Sequence, residues 1–493
     1  MARTLLPGQI SDRSGDCERM EASMFSSRAH LEAALAVMDR LSEAGYEAYL
    51  AGGCVRDLLL GRDPADCDVA TSAPPRVVLD LFERTFAVGA HFGVVLVATR
   101  GGAAPASAAE GDPEQVEYVL TEVATFRSDG AYSDGRHPDA VRYTMSAEED
   151  VRRRDFTING LLLGAPAAAD DLRDAAQLRG SVMDFVGGLA DLEAGVVRAI
   201  GCAAERFEED RLRMLRAVRF AARFGFELEA GTAAAMGALA GRISSVSRER
   251  VRDELTKMLT EGHARRAFEL LDETGLLTEV LPEVARMKGV EQPAQYHPEG
   301  DVWVHTLGLL AQLPGHSSPT LAWGALLHDV GKPPTFRRAP DRIRFDGHVE
   351  VGVAIAAEIL GRLRFSNEAT RQVLALVENH MRFADTERMK ASTLKRFFRL
   401  EKFDEHLALH RMDCLAGSGN LDHWQFTHER WLTMPEETMR PRPLITGREL
   451  IAAGYAPGPE FKQMLRAIED AQLEGAITTA EEALRLLGER FQR

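Results

Sequence analysis

Two aspartates one residue apart, Asp66-Cys67-Asp68, follow shortly after the run Ala51-Gly52-Gly53-Cys54-Val55-Arg56-Asp57. In an extended strand, residues two apart project to one face. Two carboxylates placed so repel each other unless a cation lies between them. Hard oxygen donors of this kind suit Mg²⁺ together with substrate phosphates, and a two-ion site activates an attacking hydroxyl while steadying a leaving pyrophosphate. Adjacent glycines let the backbone come close to a ligand. The helix start behind them suits an anion, and Arg56 adds a positive fork. Together these make a triphosphate cradle. A glycine pair alone is more often a plain strand–helix turn, and an isolated Asp-x-Asp more often a polar turn, here after Asp63-Pro64. The two within a short loop of each other are far more specific. A third carboxylate is expected from a neighbouring strand. Glu122, in Thr121-Glu122-Val123-Ala124-Thr125-Phe126-Arg127, is the candidate, and on spacing alone it is equally well an exposed residue of a half-buried strand.

Two further groups of residues carry chemistry. Arg153-Arg154-Asp155-Phe156-Thr157-Ile158-Asn159 sets cations, a carboxylate and an amide beside apolar residues. Arginine pairs bidentately with phosphate, although a salt-bridged helix start has the same composition. In Glu209-Asp210-Arg211-Leu212-Arg213-Met214-Leu215-Arg216, Asp210 and Arg213 are three apart and neighbour each other on a helix surface. The plain reading is a solvated ion pair. The functional one is a carboxylate acceptor and a guanidinium donor that jointly read the Watson–Crick edge of a base, in place of a template. Leu212, Leu215 and Val218 supply the core stripe, leaving Arg216 and Arg219 for phosphates. Further on, His305, His328-Asp329, His348, His380 and Asp413 form a separate series. Neutral imidazoles with carboxylates suit divalent transition metals or Mg²⁺, whereas a lone buried histidine is usually hydrogen-bonded core.

The elements that must position these groups follow from periodicity. Residues 28 to about 165 read as α/β. A helix is expected over His30–Gly45, a strand over Tyr46–Ala51, a helix over Val55–Leu60 stopped by Gly61, a short strand closed by Val69, and strands over His91–Thr99 and Glu117–Phe126. The Ala/Gly/Ser/Pro-rich run Gly101–Gln115 reads as a hairpin tip or insertion. Beyond about residue 200 helical periodicity dominates: Glu205–Phe224, Ala369–His380, Ala391–Phe398 and Asp404–Ala416 each read as one helix, and Arg440–Pro459 as a linker.

The bulk numbers set bounds. A chain of 493 residues with 45% hydrophobic content builds three or four cores. Its five cysteines contain no CxxC pair, which disfavours a disulfide framework or thiolate zinc site and makes a reducing cytoplasm the default. Residues 1–27 lack the apolar core of a signal peptide, and no stretch is long and apolar enough to span a bilayer, so no membrane association is expected. A formal net charge of −16 argues against a nucleic-acid binder on average. The arginines at 152–154 and from Arg206 to Arg223 predict a basic cleft in an acidic body.

In this order, Gly52-Gly53-x-Val55-Arg56-Asp57, Asp66-x-Asp68, Arg153-Arg154-Asp155 and Glu209-Asp210-x-x-Arg213-x-x-Arg216, the chain resembles class II tRNA nucleotidyltransferases and bacterial poly(A) polymerases from about Tyr46 onward. The resemblance implies an α+β protein: a polymerase-β-like head, a mixed sheet with helices, followed by an all-α neck, body, HD domain and tail. The divisions expected are a disordered tail over 1–27, head over 28–165, neck and body over 166–285, HD domain over 286–420 and a tRNA-binding tail over 421–493. Asp66 and Asp68 would be the head's Mg²⁺ ligands and, with Glu122, its catalytic residues. Asp210 and Arg213 would select CTP or ATP for addition to the tRNA 3′ end. The candidate nucleotide-binding set is Gly52, Gly53, Arg56, Asp57, Arg154, Asp155, Asn159, Asp210, Arg213, Arg216 and Arg219.

Within the family, Asp129–Pro138 resembles the flexible loop used for the terminal A, which CC-adding enzymes lack. Val88–Val95 resembles the CCA-adding version, and Leu444–Leu450 with Pro457-Gly458-Pro459 resembles CCA-enzyme tails that face RNA. Gly160 stands where the family often has Ala, a change expected to matter little. The histidine series resembles the HD metal-dependent phosphohydrolases, with His305, His328, Asp329 and Asp413 as the basic metal set and His348 and His380 at positions that hold a second divalent metal. A phosphomonoesterase or 2′,3′-cyclic phosphodiesterase that cleans damaged 3′ ends is the activity implied. The alternatives are an A-adding enzyme or poly(A) polymerase, an HD phosphohydrolase whose head only binds nucleotide, and a non-catalytic RNA-binding protein, the last disfavoured because both carboxylate sets are intact.

Overall fold

The computed structural model describes residues 13–87, 93–100, 118–130, 141–164 and 175–491. The expected insertion at Gly101–Gln115, most of Asp129–Pro138 and the first part of Val88–Val95 fall outside them. The chain divides into two compact units, Met1–Ser245 and Val246–Arg493.

The first unit is built on a seven-stranded mixed sheet. Its strands are β1 (Ala48–Ala51), β2 (Asp68–Thr71), β3 (Thr85–Phe86), β4 (Val94–Arg100), β5 (Tyr118–Thr125), β6 (Leu161–Leu163) and β7 (Val182–Asp184), in the order β3-β4-β5-β2-β1-β6-β7. β2 and β5 run parallel, in the register Val69↔Val123, and the remaining neighbours are antiparallel. Helix α1 (Arg13–Glu43) packs on β1, β2 and β5. Its buried face is Leu31, Ala34, Val37, Met38 and Leu41, the spacing of one helical stripe. α1 is longer than the His30–Gly45 helix expected and enters the segment read as a tail. Once the packed turns exist, each added residue costs little when it is a fair helix former.

β5 shows how the sheet makes a site. Val119, Thr121, Val123 and Thr125 are buried, whereas Leu120 and Glu122 between them are exposed. One face is thus core and the other open. The strand that carries Asp68 begins at that residue and runs to Thr71, so it starts where sequence reading had it ending. Helix α2 (Gly53–Leu59) follows β1 through the Gly52 turn and stops before Gly61, whose φ is +66°.

Glu205–Phe224 is two helices, not one: α3 (Ala203–Glu209) and α4 (Leu212–Phe224). Asp210 is extended at the break, and its Oδ1 accepts a hydrogen bond from the Leu212 N–H at 3.1 Å. A short side chain that bonds the backbone two residues on competes with helix continuation.

The second unit is helical, with a short ribbon of Arg337–Arg338 against Ile343–Arg344. Its metal-binding candidates lie on α5 (Val302–Leu310), α7 (His348–Arg362) and α9 (Phe403–Ala416) and just past the ends of α6 (Pro319–Leu327) and α8 (Asn367–Asn379). The expected linker holds a short helix, Gly447–Ala452, closed by a capping box between Thr446 and Glu449. That box gives Thr446 a structural task in the segment expected to face RNA.

Candidate active site and metal centre

Asp66, Asp68 and Glu122 converge on the open face of the head sheet. The β2/β5 register sets Asp68 alongside Glu122, one step before Val69↔Val123. Asp66 is exposed on the incoming segment while Cys67 turns into the core. Burial, then Glu122 and then Asp66, push the Asp68 carboxyl up to about 7, with Arg154 pulling the other way. The Glu122 carboxyl is raised too, by partial desolvation against the sheet and by Asp66. Carboxylates that resist ionising together offer hard oxygen donors of the kind a divalent cation takes. Glu122 is at once an exposed residue of a half-buried strand and the carboxylate beside Asp68.

Behind the cluster runs a connected polar chain. Gly52, at φ +70°, donates its N–H to Leu161 O at 3.2 Å, and a Cβ there would come within 3.1 Å of Arg154 Nη1. Arg56 is buried. Its Nε and Nη2 donate to Asp57 Oδ1, its Nη1 donates to Asn159 Oδ1 at 2.5 Å, and its guanidinium lies over the Phe224 ring at 4.5 Å. It is therefore committed inside the protein and does not offer the phosphate fork expected of it. Asn159 in turn donates to Asp155 Oδ1 at 3.1 Å, and Arg216 grips Asp155 Oδ2 from Nε at 2.9 Å and Nη2 at 2.7 Å. Burial would raise the Asp155 carboxyl, but Arg216 and the Asn159 hydrogen bond hold it down to about 2. Asp57, Arg56, Asn159, Asp155 and Arg216 thus tie α2 to α4. Arg219 is also buried, over the Phe220 ring at 4.4 Å. Arg153 and Arg154 share Asp150, and Arg154 remains the cation nearest the carboxylate cluster in electrostatic effect on Asp68.

Arg213 is held by Glu209 Oε2 at 2.6 Å, Arg206 O at 3.1 Å and Arg153 O at 3.1 Å. Three of its N–H groups are thus engaged inside the protein, as Arg56's are, which fixes the guanidinium plane, and its side chain keeps 12% exposure against 5% for Arg56. Arg206 and Arg211 pair with Glu209 and Glu208. Much of the arginine charge read as a basic cleft is therefore balanced internally. Gly160 matters more than expected, because a Cβ there would lie 2.8 Å from Val186 Cγ2 and 3.1 Å from Val151 Cγ1. A contact that 13 residues of separation had concealed is Cys54 Sγ to Cys67 Sγ, 3.3 Å apart as free buried thiols.

In the second unit all six histidine-series residues meet. His305 Nε2 lies 3.0 Å from Asp413 Oδ1 and 3.9 Å from Asp329 Oδ2, and His328 Nε2 lies 3.2 Å from Asp329 Oδ2. His348 and His380 approach Asp329 Oδ1 at 3.9 and 3.8 Å. Every one of these Nε2 atoms is buried without an aligned hydrogen-bond partner. Each Nδ1 is engaged: His305 with Glu299 Oε1, His328 with Ala325 O, His348 with Phe345 O and His380 with Val377 O, at 2.7–3.0 Å. An acceptor on Nδ1 places the proton there and leaves the Nε2 lone pair inward, which is the tautomer a metal requires. The groups fall into two sets of mutually close donors, His305/His328/Asp413 and Asp329/His348/His380. They fit divalent ions. Sequence reading missed Glu299 and Lys332. Lys332 Nζ lies 2.7 Å from Asp329 Oδ2, and only the following Gly-Lys of His328-Asp329-Val330-Gly331-Lys332 signalled it.

Three family models match: the poly A polymerase head domain at 48–198, the probable RNA and SrmB-binding site of polymerase A at 225–288, and the HD domain at 304–416. Both catalytic domain types imply divalent-metal dependence. The CCA-adding enzyme of Lactobacillus gasseri is 37% identical over 296 residues, 58% of this chain and 66% of that one. That of Lactiplantibacillus plantarum matches over about half its length, 53%. The Streptococcus thermophilus CCA-adding enzyme is 30% identical over 462 residues, 92% of this chain and 96% of its own. Among solved structures, the Bacillus stearothermophilus CCA-adding enzyme in complex with CTP superposes with a TM-score of 0.67 at 27% identity, covering 93% of this chain and 96% of that one. The Thermotoga maritima CCA-adding enzyme complexed with tRNA shares the fold, with a TM-score of 0.56 at 19% identity. With a nucleotidyltransferase head and an internal HD domain, this chain belongs to the CCA-adding enzyme family.

Proposed function

We propose that this protein adds C, C and A to the tRNA 3′ end from CTP and ATP. The observation that carries the proposal is the Asp66/Asp68/Glu122 cluster, with Asp68 paired to Ala51 just before the Gly52 turn, whose helix α2 is joined through Arg56, Asn159 and Asp155 to the helix that bears Arg216. Asp66 and Asp68, with Glu122, would hold Mg²⁺. When bound, the metal lowers the pKa of the attacking 3′-hydroxyl and neutralises the leaving pyrophosphate. The chain's own contribution is position and charge. Gly52 admits the triphosphate, Arg154 supplies positive charge beside the carboxylates, and the buried chain keeps α4 fixed against that site. Asp210 and the clamped Arg213 present an acceptor and a donor for the base edge. Free buried thiols suit a reducing cytoplasm.

The test uses three tRNA transcripts, lacking CCA, CA or only the final A, with CTP and ATP offered singly and together. Extension of all three that stops at CCA supports the reading. Addition only to a transcript ending in CC means an A-adding enzyme, and long A tails on unrelated RNA mean a poly(A) polymerase. Asp66→Ala or Asp68→Ala should abolish incorporation with tRNA binding kept, and appreciable residual incorporation sinks the ligand assignment. Arg213→Ala should blur the choice between CTP and ATP, and an equal loss for both counts against templating.

A second reading rests on the four inward Nε2 atoms. The HD centre would hold one or two divalent transition metals and hydrolyse phosphate esters at RNA 3′ ends. Release of phosphate from a 3′-phosphorylated or 2′,3′-cyclic tRNA end, abolished by Asp329→Ala, tests it.

A further inference from the structure

Three of the four inward-facing imidazoles are oriented by backbone carbonyls, each three residues upstream: Ala325 O for His328, Phe345 O for His348 and Val377 O for His380. His305 alone is oriented by a carboxylate, Glu299 Oε1, at 2.7 Å. The same oxygen takes a second imidazole, His297 Nδ1, at 2.9 Å, and the two rings meet edge to face with centroids 4.9 Å apart. Glu299 is a third charge on this side of the centre, after Asp413 and Asp329, and its other oxygen, Oε2, is buried without a hydrogen-bond partner. The carboxylate therefore presents one oxygen to two imidazole nitrogens at once.

A charged acceptor on Nδ1 makes the opposite nitrogen a stronger base than a carbonyl does, and such partners contribute about 10–100-fold in metal affinity. The effect is confined to one half of the centre, because Glu299 touches His305, of the set His305/His328/Asp413, and none of the set Asp329/His348/His380. Lys332 lies at 2.7 Å on Asp329 Oδ2, the oxygen turned toward His305 and His328, while Oδ1 faces His348 and His380. We propose that Glu299 is the positioning residue of the HD centre, and that it makes the His305/His328/Asp413 half the tighter, first-loaded metal position. This rests on the reading of the centre as a metal site.

The experiment titrates Co²⁺ into the full-length, metal-stripped protein and follows its visible d–d absorption, with competition by a chelator to give each dissociation constant. The wild type should fill a tight and a weaker position. Glu299→Ala should weaken the tight position about 10–100-fold and shift its absorption, leaving the weaker one in place. Glu299→Gln, which keeps an acceptor but loses the charge, should fall between alanine and wild type. His297→Ala, which leaves the Glu299–His305 bond, should change the tight constant less than threefold. Glu299→Ala with an unchanged tight constant and spectrum overturns the proposal. So does equal weakening of both positions, or a lower melting temperature of the metal-stripped protein that accounts for the loss. If the wild type takes up no Co²⁺ beyond what Asp66→Ala/Asp68→Ala removes, it is the HD metal reading that fails, a result distinct from any of these.

Discussion

Replacing Arg216 by methionine isolates the link between α4 and the buried Asp155. Asp155 is buried, and Arg216 is its only side-chain cation at hydrogen-bond distance among the described residues, bound through Nε at 2.9 Å and Nη2 at 2.7 Å. Depression of the Asp155 carboxyl from 3.8 to about 2 corresponds to about 2–3 kcal/mol at roughly 1.4 kcal/mol per unit. Breaking one side of a buried pair costs about 3–5 kcal/mol. The Arg216 side chain is 33% exposed, so solvent screening puts the loss at the low end, about 2–3 kcal/mol. For a unit of this size that corresponds to roughly 5–10 °C in the melting transition.

The pH dependence has a definite sign. A carboxyl depressed on folding contributes stability that is present above its unfolded value near 3.8 and lost as pH falls through about 2. The gap in melting temperature between wild type and Arg216→Met should therefore be constant from pH 7 to 5 and close between about pH 4 and 2. Asp155→Asn should lose less, because an amide there carries no buried charge. In the double variant the two losses should not add. A gap below 1 °C, or one that does not narrow in acid, would refute the idea that Asp155 is an ionised carboxylate held by Arg216.

Other outcomes follow from single contacts. Glu122→Gln keeps the shape of the third carboxylate and removes its charge, so incorporation should fall about a hundredfold with tRNA binding unchanged, as single-turnover kinetics would show. Gly331→Ala puts a Cβ 2.0 Å from His348 O and 2.6 Å from Gly352 N. Backbone must move, so the HD centre should lose its tight Co²⁺ position and the melt should drop by the equivalent of about 3 kcal/mol. Cys202 is exposed, whereas the hydrogen bond with Cys67 and then burial raise the Cys54 thiol and burial pushes Cys414 up to about 12. Iodoacetamide at pH 7.5 should therefore label Cys202 quickly, and Cys54, Cys67 and Cys414 only on unfolding.

What was legible in the sequence was what depends on short spacing. Asp66 lies close enough to Asp68 to raise its carboxyl, although the strand begins only at Asp68. Gly52 sits at a turn because β1 must pass directly into α2. The histidine series was recognisable by order, and the structure brings all six members together. The extents of α1 and β2 were misjudged because periodicity marks the packed part of an element rather than its end. The single helix read over Glu205–Phe224 failed for a different reason. Its apolar stripe continues across Asp210, and the stripe carries no sign of the extended Asp210 backbone or of its side-chain bond to the Leu212 N–H.

The misread role of Arg56 shows what a linear motif withholds. A guanidinium beside a glycine turn has the right chemistry for a phosphate, and nothing local speaks against it. What decides the matter lies 103 residues away, where Asn159 accepts one of its N–H groups, and further still at Phe224, whose ring it covers. Arg216 reaches Asp155 across 61 residues. These contacts are individually ordinary, but they form one continuous hydrogen-bonded path. The helix thought to choose the nucleotide and the turn thought to admit it are therefore joined by one buried polar path. An enzyme that uses protein side chains in place of a template needs such a link, since a base edge can be read by two side chains only if their distance from the carboxylates does not drift. Arg56 would then serve nucleotide recognition from inside the protein, through the position of α4, without touching a phosphate.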